Sequence, residues 1–171
     1  MLARHRTGHL ILSGALRLPT SLPCQYATYY ICTVYHSVSG GNSMKDQTEV
    51  NKEMVQDFYN LSLNLKKPEE AVKKHLGPYY RQHNPGAADG GEAFIAFVRG
   101  FTGAFPELHF DFRRFIAEGN LVVVHSHLVR HPGDRGIAVM DIFRIEKDKI
   151  VEHWDVLQDV PEKPVNNNTM F

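Results

Sequence analysis

The chain has few cysteines, and both lie near its start. Cys24 and Cys32 fall within the first 43 residues, and the rest of the sequence contains none. A disulfide and a zinc site built on thiolates are therefore excluded after residue 43, because each needs cysteine sulfur. This pattern indicates a core held together by packing alone, and it favours a cytoplasmic location.

Neither sign of charge is in excess. Nineteen Lys and Arg residues balance nineteen Asp and Glu residues, so the formal net charge is zero when the ten histidines are neutral. Proteins that bind nucleic acid or anionic membranes usually carry a basic excess or a basic stripe. No apolar run approaches the roughly 20 residues that a membrane-spanning helix needs. The sequence therefore predicts neither a nucleic-acid partner nor a membrane partner.

The first 43 residues contain no Asp or Glu, and they end in a stretch rich in Ser and Gly. Three interpretations stay open: an organelle presequence, an extension without a folded role, and a genuine N-terminal element. Low acidity with scattered Arg is typical of a transit peptide, but here the arginines are few and the amphipathic pattern is weak. We expect residues 1–44 to be a poorly structured extension or presequence, with Met44 as a candidate functional start.

From residue 45 the sequence is patterned as one domain, predicted to span 45–162 and to be followed by a flexible tail at 163–171. Apolar residues at helical spacing predict a helix over Thr48–Leu65, Pro68 begins a second helix, and EAFIAFVRGFTGAF forms a third. Four strand-like runs follow. Helices ahead of an antiparallel meander predict an α+β fold, with a curved antiparallel sheet wrapped around the helices to form a conical pocket.

Leu121–Val160 is predicted to form three consecutive antiparallel strands, and it carries most of the candidate chemistry. It holds four of the ten histidines and the only tryptophan, and Asp141 within it is flanked by apolar residues. Burial among apolar side chains raises the pKa of a carboxyl group, unless a nearby imidazolium lowers it. Asp141 is therefore a candidate acid or base. The alternative is a structural carboxylate tied to a histidine or to a backbone donor.

Two turns determine which strand residues face each other. A three-residue turn at Pro132–Asp134 predicts that Asp141 lies opposite His125, and a two-residue turn at Lys147–Asp148 predicts that Asp141 lies opposite Trp154. Side chains alternate along a strand, so these registers predict a largely apolar inward face. Its members are Val123, His125, His127, Val139, Asp141, Phe143, Ile145, Trp154 and Val156. The opposite face receives Ser126, Met140, Ile142, Arg144, His153 and Asp155.

Two motifs, YRQHNPGAADG at residues 80–90 and MDIFRIEKDKIVEHWDVLQDV at residues 140–160, resemble the SnoaL-like polyketide cyclase family. That family lies within the nuclear-transport-factor-2-like, or cystatin-like α+β cone, superfamily. The resemblance implies that Asp141, the D of DIFR, is the catalytic acid and base of an intramolecular aldol ring closure without metal or organic cofactor. It also implies that His125 or His127 and the QHN segment line the same pocket.

The predicted site combines these residues with the resemblance. Aldol closure removes a proton from a carbon beside a carbonyl and delivers a proton to the developing oxyanion. We predict Asp141 as the catalytic general base and acid, and His125 as its catalytic partner. The residues predicted to bind substrate are His83, His127, Trp154, Tyr80, Phe97 and Phe143.

The predicted function is a cofactor-independent enzyme of the cyclase or isomerase type that acts on a small enolisable carbonyl compound. The alternative is a non-catalytic module of the same fold that binds a small ligand or dimerises. His125, His127, Asp141 and His83 have the residue types of a metal site, but no further ligand signature accompanies them, so no metal is predicted. His83 has a second interpretation, in which it only fastens its loop.

A second copy of the chain is the expected macromolecular partner. By the predicted register, the outer sheet face carries apolar residues, Met140 and Ile142 among them. Apolar side chains on an outer face suit pairing between identical subunits. We therefore expect a homodimer through this face, in addition to a small-molecule ligand or substrate in the pocket.

Overall fold

The computed structural model describes residues 45–171, so the predictions for residues 1–44 lie outside the described residues. Its three α-helices are α1 (Gln47–Tyr59), α2 (Pro68–His75) and α3 (Gly91–Ala104). A π-helical turn, Asn60–Asn64, continues α1 without a break. The five strands are β1 (Leu76–Gln82), β2 (His109–Glu118), β3 (Leu121–Val129), β4 (Ile137–Glu146) and β5 (Lys149–Asp159). No helix in this part of the chain is long and apolar enough to span a membrane.

The helix ends follow from local sequence. The Asp46 side chain accepts the backbone N–H of Thr48 at 3.2 Å, which satisfies one of the free donors at the start of α1. Pro68 is the first residue of α2, where its missing N–H costs no hydrogen bond. Acidic residues begin α2 and basic residues end it, as the helix dipole favours. The predicted helices are therefore formed where the sequence indicates.

The strands form one sheet in the order β1-β5-β4-β3-β2. Strand β1 runs parallel to β5, and the other neighbours pair antiparallel. The predicted α+β class, with helices packed against a curved sheet, is confirmed. The sheet is mixed rather than purely antiparallel, because β1 lies at one edge and runs parallel to β5.

The core lies between the helices and the inner face of the sheet. Phe58 of α1 and Phe143 of β4 are fully buried, and their rings meet edge-on with centroids 6.1 Å apart. Phe58 also stacks on Phe94 of α3 at 4.9 Å. Aromatic contacts of this kind add stability beyond the burial of apolar area. The inner face of β4 is thus fixed against two helices, which positions Asp141 two residues before Phe143.

The β3–β4 register differs by one residue from the predicted one. Asp141 lies opposite Val124 rather than His125. The connection spans residues 130–136 and is longer than the predicted three-residue turn. A shift of one residue moves every side chain of a strand to the other face. The prediction that His125 and His127 share a face with Asp141 is therefore wrong.

Asp134 holds the longer loop together. Its two carboxylate oxygens accept hydrogen bonds from the Arg130 guanidinium, Oδ2 from Nε at 2.7 Å and Oδ1 from Nη2 at 2.9 Å. It also accepts the backbone N–H groups of Arg130 and Gly136. These contacts, led by the Arg130 side chain, hold the pKa of Asp134 well below its usual range. This Arg130–Asp134 contact, here called the Arg130–Asp134 clasp, holds the two ends of the loop together where the chain enters β4.

Gly136 is required where the loop enters β4. Its φ is 81°, and a Cβ atom at this position would collide with the His127 imidazole and the Leu128 carbonyl oxygen. Gly133, in the same loop, has a similar φ of 82°, but a Cβ atom there would meet nothing within 4 Å. Alanine substitutions at the two glycines can therefore distinguish the free-energy cost of a left-handed backbone from the cost of a steric clash.

We expect Gly136→Ala to lower the free energy of unfolding by at least about 2–3 kcal/mol, because the new methyl group adds a clash to the unfavourable left-handed backbone. Gly133→Ala is the matched control and should cost about 1–2 kcal/mol, since it meets only the backbone penalty. Urea unfolding of the two variants and the parent measures the difference. Equal losses would contradict the proposed clash.

The β4–β5 turn falls at the predicted position. Lys147 and Asp148 have φ values of 51° and 56°, and Glu146 pairs with Lys149 across them. Positive φ at both central residues is the requirement of the tight two-residue hairpin turn. The predicted two-residue loop is therefore correct, and the register starts as expected.

A β-bulge then changes the register of β5. Ile145 pairs with Ile150, but the next pair joins Arg144 to Glu152, so Val151 is an extra residue on β5. Because of this extra residue, every side chain beyond it on β5 points to the opposite face of the sheet from the one predicted. His153 therefore turns inward and Trp154 turns outward. The predictions that Trp154 lies opposite Asp141, and that His153 lies on the outer face, are wrong.

Candidate active site

Asp141 is the buried carboxylate at the centre of the site. Its side chain lies in the middle of β4, and the residue is 1% exposed. The Tyr59 hydroxyl donates to Oδ1 at 2.7 Å, and Nε2 of His153 lies 3.1 Å from the same oxygen. Within residues 45–171 the second oxygen, Oδ2, is buried and has no hydrogen-bond partner. One oxygen is thus held by two partners, and the other is buried without one.

Tyr59 reaches Asp141 from the end of α1. Its phenol is buried, and burial raises its pKa well above the usual range, with the nearby Asp141 charge adding to the effect. The phenol therefore stays protonated and acts as a hydrogen-bond donor at neutral pH. Directly after Tyr59 the helix widens into the π-helical turn, where the Ser62 hydroxyl donates to the Phe58 carbonyl at 2.7 Å. Such turns are frequent at functional sites.

The contact with Gln82 shows that Nδ1 of the His153 ring carries a hydrogen. The Gln82 Oε1 atom accepts the backbone N–H of Asn84 at 2.9 Å, and a backbone N–H can only donate. The amide oxygen is therefore the atom that lies 3.0 Å from His153 Nδ1. Because this oxygen is an acceptor, Nδ1 carries a hydrogen. A neutral His153 consequently has its lone pair on Nε2, facing Asp141.

The contact between His153 and Asp141 therefore requires a shared proton. The Tyr59 hydrogen already lies on Asp141 Oδ1, so without a further proton two acceptors would face each other at 3.1 Å. Burial raises the pKa of Asp141, while the hydrogen bonds and charge of His153 and the hydrogen bond of Tyr59 act against the rise. Nε2 of His153 and Oδ1 of Asp141 therefore hold one proton between them.

Asp155 is a second carboxylate at the same position of the sheet. It is the direct cross-strand partner of Asp141 in the β4–β5 pairing. The Asn84 Nδ2 group donates to its two oxygens at 3.0 and 2.7 Å. Asn84 is itself held because its Oδ1 accepts the backbone N–H of Gly86 at 2.7 Å. The last residue of β1 and the segment after it thus supply side-chain amide groups to His153 and Asp155, respectively.

A cavity of about 320 Å³ opens beside these groups. Its apolar wall consists mainly of aromatic and aliphatic side chains from α3 and strands β2 to β5, including Phe94, Phe97, Val98, Phe101, Phe105, Phe110, Leu128, Ile137, Val139 and Leu157. Its polar lining residues are Tyr59, Gln82, Asn84, Arg130, Asp141, His153 and Asp155. Except for Arg130, they form one hydrogen-bonded or adjoining cluster. This composition is typical of a small-molecule site.

Asp141, His153 and Asp155 also have the residue types of a metal site. One ligand-type atom from each lies within 4.8 Å of the others. Two carboxylates and an imidazole suit a divalent cation. A cation at this position would have to displace the proton between Nε2 and Oδ1, which lie 3.1 Å apart. The structure does not bring together the set considered from sequence, His125, His127 and His83 with Asp141.

Three further predicted residues lie at or beside the cavity. Phe97 lines its wall. Phe143 stacks on the His153 ring with centroids 4.6 Å apart, and Tyr80 stacks on the same ring at 6.4 Å. Both are buried, and they hold the imidazole in position rather than forming the cavity surface. Their substrate-binding role stays a prediction.

The other four predicted residues lie away from the cavity. His83 and Trp154 stack on each other at 4.5 Å, and His83 contacts Glu152 at 2.8 Å. His125 and His127 lie on the outer face, where both stack against Phe171 of the C-terminal tail, at 5.7 and 4.2 Å. The cross-strand contacts predicted for His125 and Trp154 with Asp141 are not formed. Of the QHN segment, Gln82 and Asn84 line the cavity and His83 does not.

Reasoning from sequence missed Tyr59, His153 and Asp155. Tyr59 follows Val55 at helical spacing, so the apolar pattern of α1 could have placed it on the buried face. His153 and Asp155 were assigned to the wrong face because the bulge at Val151 has no reliable signal in the local sequence. Within the resembling motif EHWD, the histidine and the aspartate face the cavity and the tryptophan between them does not.

We expect His153→Gln to raise the pKa of Asp141 further, because the imidazole hydrogen bond and charge that lower this pKa are lost. Carbonyl NMR of protein labelled with ¹³C at aspartate carboxyls measures the titration. His127→Gln, on the outer face, is the control and should leave it unchanged. A carboxyl group whose pKa is raised in the folded state binds its proton more tightly in the folded protein than in the unfolded chain. The free energy of unfolding of His153→Gln should therefore fall as pH rises through the folded-state pKa of Asp141. An unchanged titration would contradict the shared proton.

The comparisons with known proteins agree with this fold. A family model described as SnoaL-like domain matches residues 55–153. No curated protein matches the chain significantly. Several solved structures are similar in fold. One, provisionally assigned as a polyketide cyclase from Acidithiobacillus ferrooxidans, is 20% identical with a TM-score of 0.55 and aligns over 67% of this chain and 91% of its own.

Two more of these structures broaden the picture. A provisionally assigned polyketide cyclase from Bacillus cereus is 19% identical with a TM-score of 0.57, over 67% of this chain and 79% of its own. A provisionally assigned ketosteroid isomerase from Kribbella flavida is 18% identical with a TM-score of 0.55, over 73% of this chain and 90% of its own. Sequence identities this low support a shared fold, and they do not identify a substrate.

Proposed function

Because the chain belongs to the SnoaL-like family, we propose that it is a cofactor-independent acid/base enzyme that enolises a small apolar carbonyl compound. The reaction is of the intramolecular aldol, or cyclase, type or of the isomerase type. The observation that carries the proposal is the state of Asp141, which lines an apolar cavity with Oδ1 held by two partners and Oδ2 buried without one. A ligand in the cavity supplies the missing partner.

Enolisation needs a base stronger than an ordinary carboxylate in water. Burial raises the pKa of Asp141, and a carboxylate with a raised pKa is a better base toward a carbon-bound proton. Oδ2 takes the proton from the carbon beside the carbonyl, and the electron pair of that C–H bond moves into the enolate. The resulting carboxylic acid returns the proton to another carbon in an isomerase, whereas an aldol closure also needs a proton donor for the new hydroxyl oxygen.

Tyr59 and His153 are positioning residues in this scheme. Both contact Oδ1, so they fix the rotation of the carboxylate and leave Oδ2 for the substrate. Stacking of His153 on Phe143 and on Tyr80 restrains the ring in turn. Arg130 lines the same cavity, and Nη1 of its guanidinium, which its hydrogen bonds to Asp134 do not use, can donate to the substrate oxygen.

The size and chemistry of the cavity define the substrate class. A volume of about 320 Å³ lies at the small end of the range for ligand pockets. Its wall is mostly phenylalanine, leucine, isoleucine and valine, and its polar groups are clustered around Asp141. A compound with an apolar body and one activated carbonyl therefore fits better than a sugar or a nucleotide, which would bring more polar groups than the wall can bind.

Deuterium uptake tests the function without knowledge of the natural substrate. Purified protein is incubated in D₂O with a panel of small apolar ketones, and exchange beside the carbonyl is followed by NMR. We expect catalysed exchange, and we expect Asp141→Asn to reduce it by about 10²-fold or more because the general base is lost. The control is Asp159→Asn, which changes an exposed carboxyl at the far end of β5.

The outcomes separate the two candidate functions. Exchange that persists in a folded Asp141→Asn variant, as judged by thermal unfolding, would reject the role of Asp141. Ketones that bind to the parent without any catalysed exchange would favour the alternative, a non-catalytic module that binds a small ligand.

The outer sheet face supports a further part of the proposal, pairing of two copies. Val156, Met140 and Ile142 lie on this face and are 70, 40 and 37% exposed. We expect a homodimer, and we expect Val156→Lys to weaken it because a charge would be buried against apolar groups. Sedimentation velocity measures the change. Leu65→Lys is the control, because Leu65 is exposed at the end of the first helical segment. A monomeric parent protein would contradict the pairing.

A further inference from the structure

Asp155 is a carboxylate of the cavity wall to which enolisation by Asp141 gives no role. The two residues are direct cross-strand partners, and both line the cavity. Ligand-type atoms of Asp141, His153 and Asp155 lie within 4.8 Å of one another. Two carboxyl groups this close repel each other when both are ionised. Their proximity in an apolar cavity therefore calls for a chemical reason.

The environments of the two carboxyl groups differ. Asp141 is fully buried and shares a proton with His153, and the nearby Asp155 charge adds to the burial that raises its pKa. Asp155 is partly open to solvent, and both of its oxygens accept hydrogen bonds from the Asn84 amide. Neighbouring carboxyl groups in unlike environments can divide the roles of acid and base between them. Asp141 already shares a proton with His153, whereas Asp155 presents a partly exposed carboxylate that Asn84 holds in place.

We propose that Asp155 is a second catalytic residue, which accepts and returns the proton of a hydroxyl group on the carbon β to the substrate carbonyl. Asp155 then serves only the aldol branch of the proposed function and takes no part in the reaction of a ketone that merely tautomerises. This inference rests on the proposed function, since Asp141 must still exchange a proton with the α-carbon.

In the cleavage direction the protons and electrons balance as follows. The Asp155 carboxylate takes the hydroxyl proton, and the oxygen electron pair forms a new C=O bond. The bond between the α- and β-carbons breaks, and its electron pair becomes the enolate. Asp141, as the carboxylic acid, then gives its proton to the α-carbon. Two carbonyl groups result, no water is consumed, and the proton on Asp155 returns to the Asp141–His153 pair. Aldol formation is the reverse.

Two probes separate this inference from the proposed function. 4-Phenylbutan-2-one has no hydroxyl and reports α-proton exchange in D₂O. 4-Hydroxy-4-phenylbutan-2-one has a β-hydroxyl, and its cleavage to benzaldehyde and acetone is followed by the absorbance of benzaldehyde. Both are apolar ketones of the size that the cavity favours. The variants are Asp155→Asn and Asp141→Asn, with Asp159→Asn as control, and thermal unfolding verifies that each is folded.

We expect Asp155→Asn to reduce cleavage by about 10²-fold or more and exchange by far less, because only cleavage uses the hydroxyl proton, whereas exchange feels only the loss of the Asp155 charge beside Asp141. Asparagine retains an oxygen that can accept from Asn84, so the local geometry is preserved. Asp141→Asn should lose both activities. Exchange without cleavage in the parent, or equal loss of both in Asp155→Asn, would overturn the inference alone. Absence of both activities in the parent would overturn the proposed function as well.

Discussion

The need to satisfy a buried carboxylate organises the centre of this structure. Asp141 sits on the inner face of β4 with almost no exposure, and a carboxylate in that position is costly unless donors reach it. The donors come from distant parts of the chain, Tyr59 at the end of α1 and His153 on β5. Gln82 on β1 completes the arrangement by orienting His153. Helix, central strand and edge strand are thereby tied to one atom, Oδ1.

Three irregular features bring these groups together. The π-helical turn begins directly after Tyr59, the Arg130–Asp134 clasp closes the β3–β4 loop, and the bulge at Val151 turns His153 inward. Each departs from ideal secondary structure, and each adjoins the site. Departures of this kind concentrate where a protein performs chemistry, because function requires side-chain positions that regular elements do not provide.

Much of the fold, and the central residue, could be predicted from sequence for physical reasons. Helical periodicity and the Pro68 start signal are local, so they survive without knowledge of the tertiary structure. The burial of Asp141 follows from its own apolar flanks and from the resemblance. Its partners could not be predicted in this way. They depend on loop length and on an extra residue in β5, and an error of one residue exchanges His125 for Val124 and Trp154 for Asp155.

The bulge at Val151 also has an evolutionary meaning. Deletion of a single residue there would restore continuous pairing between β4 and β5, and every side chain beyond it on β5 would exchange faces. The cavity would then receive the indole of Trp154 in place of the imidazole and carboxylate that now flank it. A descendant could thus replace proton-transfer chemistry with an aromatic binding surface through one indel, with the scaffold and the remaining sequence unaltered.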